Sequence, residues 1–293
     1  MLYFNVGNAK EATQLIPNRN DIIQPRWLRR LRLNAFLLLC TIAPACFAQG
    51  VSVAPAGDPA QQLPRTVARV KPSVVGVGTS LKTRQPAIVF TGTGFIVGDG
   101  LSVITNAHVI PNTLDVARFE EIGIVIGSGG EAVSFRSARL AGLDREHDLA
   151  HLRLSGTPLA PLALAGEGAV AEGQALAFTG YPLGMRLGLH AATHRALLAA
   201  IAPVVRPSLS SRQLDPRAIA QLQRRPFDIY HLDGTAYPGN SGSPLYDPAS
   251  GAVVGVINMV FLKGLKESAV SDPSGITYAI PVRHVHELLQ RSQ

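Results

Sequence analysis

Pro238-Gly239-Asn240-Ser241-Gly242-Ser243-Pro244 is the stretch from which the rest of this chain can be read. A serine hydroxyl is a poor nucleophile until a base takes its proton and donors steady the resulting oxyanion. Glycines around a serine let the backbone turn tightly, so that successive N–H groups point at one spot. Here those are the N–H groups of Gly239 and Ser241, and the run Gly239, Asn240, Ser241 is the expected oxyanion hole. Taken alone, the heptapeptide also fits an ordinary Gly/Ser/Pro turn.

Two upstream segments supply what the serine lacks. Thr105-Asn106-Ala107-His108-Val109-Ile110 follows the apolar run Val103-Ile104. Histidine ordinarily titrates near neutrality, which suits a base that must later act as an acid. A lone histidine after a strand is usually structural; this one gains weight from its company. Asp148-Leu149-Ala150 opens another apolar run. A carboxylate there would hold the imidazole in the correct tautomer and stabilise its charged form. Asp144 competes for that role, but it sits in a polar turn and precedes no apolar run. The expectation is Ser241 as nucleophile, His108 as general base and Asp148 as the residue that orients it.

Around these segments the chain is a series of short apolar runs broken by Gly, Pro and Asp. Strands are expected over 74–77, 87–90, 94–97, 102–105, 122–126, 133–138 and 149–154. A small-residue stretch, 159–173, reads as a link between two halves. Strands over 175–178, 228–232, 252–260 and 276–280 follow. Val285, Leu288 and Leu289 stand at helical spacing, so a short C-terminal helix is expected over 282–291. Residues 188–226 mix Ala/Leu-rich character with Pro203, Pro207 and Pro216, and read as a long loop with at most one helical turn. No internal repeat is visible. The fold class is all-β.

The 293 residues are 46% hydrophobic and 16% charged, a globular composition. Residues 1–48 hold six Lys/Arg and two acids, so the remainder carries 21 basic and 18 acidic residues, a net of +3. That balance offers no case for nucleic-acid binding. RWLRRLR (26–32) followed by LNAFLLLCTIAPACFA (33–48) reads as a signal peptide cleaved after Ala48. A single transmembrane anchor is the competing reading; the apolar run is short for one and carries Pro44. Cys40 and Cys46 both lie in this segment, so no disulfide is expected in the mature chain. The division is a signal region (1–48), a flexible lead (49–64), a first β domain (65–165), and a second with the C-terminal helix (166–293).

The set TGTGFIV (91–97), TNAHVI (105–110), DLA (148–150) and GNSGSPL (239–245) resembles the trypsin-like serine proteases, and within them the Deg/HtrA branch. The order His, Asp, Ser is the order of that family. Residues 70–75, Gly180-Tyr181-Pro182-Leu183-Gly184, Asp233 and Tyr278-Ala279-Ile280-Pro281 fit the same pattern. The resemblance implies two antiparallel six-stranded β-barrels of the chymotrypsin/trypsin-like fold. His108 and Asp148 would come from the first barrel and Ser241 from the second. By analogy Thr235 would lie at the base of a specificity pocket, with Met259 and Val260 along its wall. No acidic residue stands at that base, which argues against a Lys/Arg preference and for a small or medium apolar side chain.

Departures from the family pattern also carry expectations. Ser243 replaces a common glycine, as in glutamyl endopeptidase-like relatives. Asn240 stands where trypsin has an aspartate, and no IVGG-type site is present, so no trypsin-style zymogen step is expected. Twelve residues follow Pro281, too few for a PDZ domain, and residues 49–64 lack aromatics that could staple a trimer; the expectation is a monomer. His147/His151 and His190/His194 are spaced i, i+4, but the first pair falls on a strand and the second lacks an HExxH glutamate, so no metal is expected. His231, His284 and His286 read as surface or packing residues. No cofactor is implied. The partners expected are polypeptide substrates, with neither nucleic acid nor, after signal cleavage, membrane. The function read from the chain is a periplasmic or secreted serine endopeptidase; the alternative is a catalytically silent or gated peptide-binding module on the same fold.

Overall fold

The computed structural model describes residues 59–127, 133–184, 188–204, 226–259 and 276–292. The signal-peptide reading, Val260 and residues 205–225 of the expected long loop lie outside them. Strands β1 (Val74–Ser80), β2 (Ile88–Val97), β3 (Ser102–Asn106), β4 (Glu121–Ile126), β5 (Ser134–Asp144) and β6 (Leu149–Leu154) close a barrel in the order β1-β2-β3-β6-β5-β4. Strands β7 (Ala175–Gly180), β8 (Ala192–Pro203), β9 (Asp228–Asp233), β10 (Pro244–Tyr246), β11 (Val253–Asn258) and β12 (Ile276–Pro281) close a second, in the order β10-β11-β12-β9-β8-β7. Counted from β7, the second ring has the order of the first. The repeat that the sequence hides is present in the topology.

Alternation along the strands sorts the apolar residues into three clusters. Val75, Val77, Ile96, Val103, Ile124 and Leu152 fill the first barrel. Leu176, Phe178, Leu198, Leu232, Leu245 and Ile257 fill the second. A third cluster joins residues of both barrels: Val74, Phe95, Val97 and Leu149 from the first, Tyr246, Val253, Val256 and Ile280 from the second. Ile96 thus points into its barrel while its neighbours Phe95 and Val97 join the two barrels, so strands apolar on both faces are what this fold requires.

Several elements differ from the expectations, among them β5, which runs on to Asp144 instead of ending at 138. Residues 87–90 and 94–97 are one strand, β2, because Gly92 and Gly94 serve close approach rather than a turn. A Cβ on Gly92 would stand 2.6 Å from Val109 Cγ2 and 3.1 Å from the Ser241 oxygen. Residues 59–64 of the expected flexible lead belong instead to helix α1 (Pro59–Val70), whose Thr66 and Val70 are buried and whose Arg69 donates to the Ser250 carbonyl. The Ala/Leu-rich run expected to be irregular is strand β8, paired along its length with β7 and β9. Ala196 and Leu198 face inward between exposed neighbours; cross-strand pairing overrides helical propensity there. Strand β10, three residues long, had no separate sequence signal. Helix α2 (Val282–Arg291) occupies the expected residues, with Val285 and Leu288 buried. Among the described residues no helix is long and apolar enough to cross a membrane.

Candidate active site

His108 lies in a single 3-10 turn, Ala107–Val109, directly after β3. Asp148 stands just before β6, the partner of β3, and the register sets Asn106 opposite Leu149. Adjacent strand ends therefore bring the two side chains together. His108 Nδ1 is 2.6 Å from Asp148 Oδ2, and the His108 N–H donates to Asp148 Oδ1 at 2.8 Å. A third donor comes from the second barrel: Asn258 Nδ2 reaches Asp148 Oδ2 at 2.7 Å. The backbone of Asp148 is left-handed, with φ +53°, and its carbonyl accepts from Ala107 N–H and Asn106 Nδ2, both at 3.0 Å. With an acceptor at Nδ1, the imidazole keeps its proton there and presents a free lone pair at Nε2.

Ser241 follows β9 on a loop that the first barrel holds in place. Its carbonyl accepts from Thr93 N–H at 2.9 Å. The Thr93 hydroxyl donates to the Gly239 carbonyl at 2.6 Å and accepts from Tyr181 N–H at 3.1 Å. Tyr181 in turn donates its hydroxyl to the Val74 carbonyl at 3.0 Å. Gly92 packs against both Val109 and Ser241, so β2 lies under the histidine turn and the serine loop alike. Among the described residues no hydrogen bond joins Ser241 Oγ to the His108 ring. Bonds of this kind are commonly long without substrate and tighten when it binds.

The loop also orients its N–H groups. Leu183 N–H donates to the Pro238 carbonyl at 2.6 Å, and in a trans peptide the Gly239 N–H then points the opposite way. Gly239 has φ +101° and Gly242 φ +87°, both left-handed. Among the described residues neither the Gly239 nor the Ser241 N–H donates to a protein acceptor. The Asn240 N–H differs from expectation: it donates to the Tyr237 carbonyl at 2.9 Å and is not free. The Asn240 side chain is fully buried, and among the described residues its Oδ1 and Nδ2 have no hydrogen-bond partner, nor has the buried Ser243 Oγ. A Cβ on Gly180 would overlap that hydroxyl and stand 2.7 Å from Asn240 Oδ1, which explains the bare glycine opening the Gly180–Gly184 turn. A neutral amide at 240 needs no buried counter-ion.

Of the expected pocket residues, Thr235 and Met259 are among those described. Thr235 is half-buried on the turn after β9. That turn is pinned by Thr277, whose hydroxyl donates to the Gly234 carbonyl at 2.6 Å and accepts from Ala236 N–H at 3.0 Å. Met259 packs with Ala236 and Leu232 in the second barrel's core, and Val260 lies outside the described residues.

The competing carboxylate, Asp144, ends strand β5 rather than sitting in a polar turn, and has other partners: His147 Nδ1 at 2.9 Å and Arg291 Nη2 at 2.6 Å. Burial raises its pKa, but the His147 and Arg291 contacts outweigh that and hold it at about 2. His151 and His194 have partners of their own. His151 Nδ1 pairs with Ser292 Oγ at 2.7 Å, and His194 stacks on Phe178. Burial lowers the pKa of both. His147, His284 and Glu287 hold ligand atoms within 4.8 Å of one another. The two rings stack 3.8 Å apart at 15°, so their lone pairs lie in nearly parallel planes and do not converge on a metal.

Two barrels of one topology, with a His–Asp pair on one and a serine between glycines on the other, define the class. Residues 92–256 match the family model of the trypsin-like peptidase domain, and the chain belongs to that family. The Deg/HtrA resemblance holds among its relatives. It is 30% identical over 213 residues to the mitochondrial serine protease HTRA2 of Drosophila grimshawi, across 71% of this chain and 40% of that protein. It is 28% identical over 195 residues to a probable periplasmic DegP-like serine endoprotease of Halomonas elongata, across 65% of this chain and 32% of that protein. The chain thus spans well under half the length of these relatives. Among solved structures, the Rv3671c protease of M. tuberculosis in its active form superposes with a TM-score of 0.56 at 24% identity, covering 80% of this chain and 87% of that one. Its inactive form scores 0.55, so backbone likeness does not separate the two states.

Proposed function

We propose that this chain is an exported serine endopeptidase that cleaves peptide bonds through His108, Asp148 and Ser241. The observation that carries the reading is the 2.6 Å contact of His108 Nδ1 with Asp148, on a barrel whose Thr93 also holds the Ser241 loop. Ser241 Oγ attacks the peptide carbonyl while His108 Nε2 takes its proton. Asp148 stabilises the imidazolium without taking the proton itself. The carbonyl oxygen becomes an oxyanion facing the free N–H groups of Gly239 and Ser241. Collapse transfers the proton from Nε2 to the leaving amine and leaves an acyl-enzyme on Ser241. Water, deprotonated by His108, then attacks the ester, releases the carboxylic acid and restores Ser241. The primary pocket lies beside Thr235 and Met259 and takes a small or medium apolar side chain.

Export rests on the basic-then-apolar segment 26–48 and agrees with the periplasmic name of the Halomonas relative. An N-terminus near Gln49, read by mass spectrometry on the mature protein, is the expected result; retention of Arg29 and Arg30 would contradict it. A catalytically silent or gated peptide-binding module on the same fold is the second reading, favoured by the absence, among the described residues, of a bond between Ser241 Oγ and the His108 ring. Casein digestion by the full chain, beside Ser241→Ala, tests activity. Cleavage lost in the variant supports the endopeptidase; no cleavage by either folded protein favours the gated or silent form.

A further inference from the structure

The turn 144–148 carries Asp148 at its end, and helix α2 touches that turn twice. Arg291 Nη2 reaches Asp144 Oδ2 at 2.6 Å. His147 stacks face to face on His284, with ring centroids 3.8 Å apart. Asp144 also fixes the turn from within, accepting the N–H groups of Glu146 and His147 at 3.0 Å and facing His147 Nδ1. On the helix side, His284 Nδ1 lies 3.1 Å from Glu287, and Arg283 Nε donates to His284 Nε2 at 3.2 Å. Phe227 sets its edge against both imidazoles, at 4.6 and 5.4 Å. The main chain therefore runs from this packed cluster directly into the left-handed Asp148.

We propose that helix α2 is a brace for the carboxylate that orients His108: His147 and His284 are positioning residues whose stack holds the turn, and protonation of His284 releases it. The proposal rests on the catalytic reading of Asp148. Titratable groups on the elements packed around the pair are Asp144, Arg145, Glu146 and Asp148 of the turn, Arg283, Glu287 and Arg291 of the helix, and Asp228 beside Phe227. Carboxylates and guanidiniums already offset one another there, through Asp144 with Arg291 and Asp228 with Arg283. A proton on His284 sets a charge against the facing His147 ring, and the carboxylate opposite it, Glu287, is half-exposed. At His284 Nε2 it also removes the acceptor that Arg283 uses. Burial lowers the His284 pKa from its ordinary 6.5, more than the Glu287 hydrogen bond raises it. The unfolded chain therefore takes that proton first, and the stabilisation is present above pH 6.5 and lost as pH falls below it.

Two substitutions in the full chain test the brace. His284→Phe keeps a ring for the stack and cannot titrate; His284→Ala removes the ring. At pH 8 the alanine variant should lose kcat on the order of tenfold with KM little changed, and the phenylalanine variant should stay within about threefold of the parent. In a Ser241→Ala background, the fall in Tm between pH 7 and pH 5 should be smaller for His284→Phe than for its parent. Parental kcat in His284→Ala, or parallel Tm–pH curves for His284→Phe and its parent, would overturn the proposal. Should the full chain hydrolyse nothing, the catalytic reading fails and the Tm comparison still decides whether the stack holds the turn.

Discussion

Gly239→Ala is the sharpest perturbation the site offers. The residue has φ +101°, which an L side chain rarely adopts, at a strain of about 1–3 kcal/mol. A Cβ would also overlap the Tyr181 carbonyl oxygen and stand 3.2 Å from Leu183 N. Both neighbours are backbone and cannot swing aside like a side-chain tip. The least costly relief is rotation of the 238–239 peptide. That breaks the 2.6 Å bond from Leu183 N–H to the Pro238 carbonyl and turns the Gly239 N–H away from the cleft. Loss of one oxyanion donor costs about 2.7–4 kcal/mol in the transition state, a drop of about 10²–10³ in kcat. KM should change little, because the donor serves the transition state more than the bound substrate. Steady-state hydrolysis of a peptide ester or amide by the full chain measures both. Gly168→Ala is the control: it shares a left-handed φ of +69° but has no atom within 4 Å of its Cβ, and its activity should match the parent. A Gly239→Ala enzyme within about threefold of parental kcat would refute the argument.

Two further predictions follow from the same contacts. Asn258→Ala removes a donor from a charged carboxylate but leaves both His108 contacts in place; kcat should fall about tenfold, or ~1.4 kcal/mol, with a folded protein by circular dichroism, and an unchanged kcat would show that the bond does not position Asp148. Asp144, held at about 2 against an ordinary 3.8, contributes roughly 2 kcal/mol of stability that is present above pH 4 and lost as pH falls toward 2; in calorimetry, Asp144→Asn should lower Tm by about 5 °C at pH 7 and converge with its parent near pH 2, and a parallel offset at every pH would contradict the assignment.

The meeting of His108 with Asp148 was legible because each stands at the end of a short apolar run, and those runs are paired strands. The two-barrel fold followed from the order of four motifs, which composition alone could not supply. What escaped the sequence was held by distant partners. Strand β8 looks helical by composition, and only its pairing with β7 and β9 makes it a strand. Helix α1 is hidden by Pro and Gln and is fastened by the 249–250 turn, nearly two hundred residues on. Gly92 and Gly94 read as a turn because glycine signals both bends and close approach. Asn258 had a faint signal, a lone amide ending the run VVGVIN, but nothing in the sequence says that it faces Asp148. Asn240 was grouped with the oxyanion donors because the motif shows order along the chain and not which N–H the turn itself consumes.

The most direct test of the central claim is to treat the folded full chain with a fluorophosphonate and map the adduct by peptide mass spectrometry. The expected result is a single adduct on Ser241, absent in Ser241→Ala and formed far more slowly in His108→Ala and Asp148→Asn. An adduct of equal yield in Ser241→Ala, or a folded parent that forms none while the reagent labels a control protease, would contradict the assignment of Ser241 as an activated nucleophile.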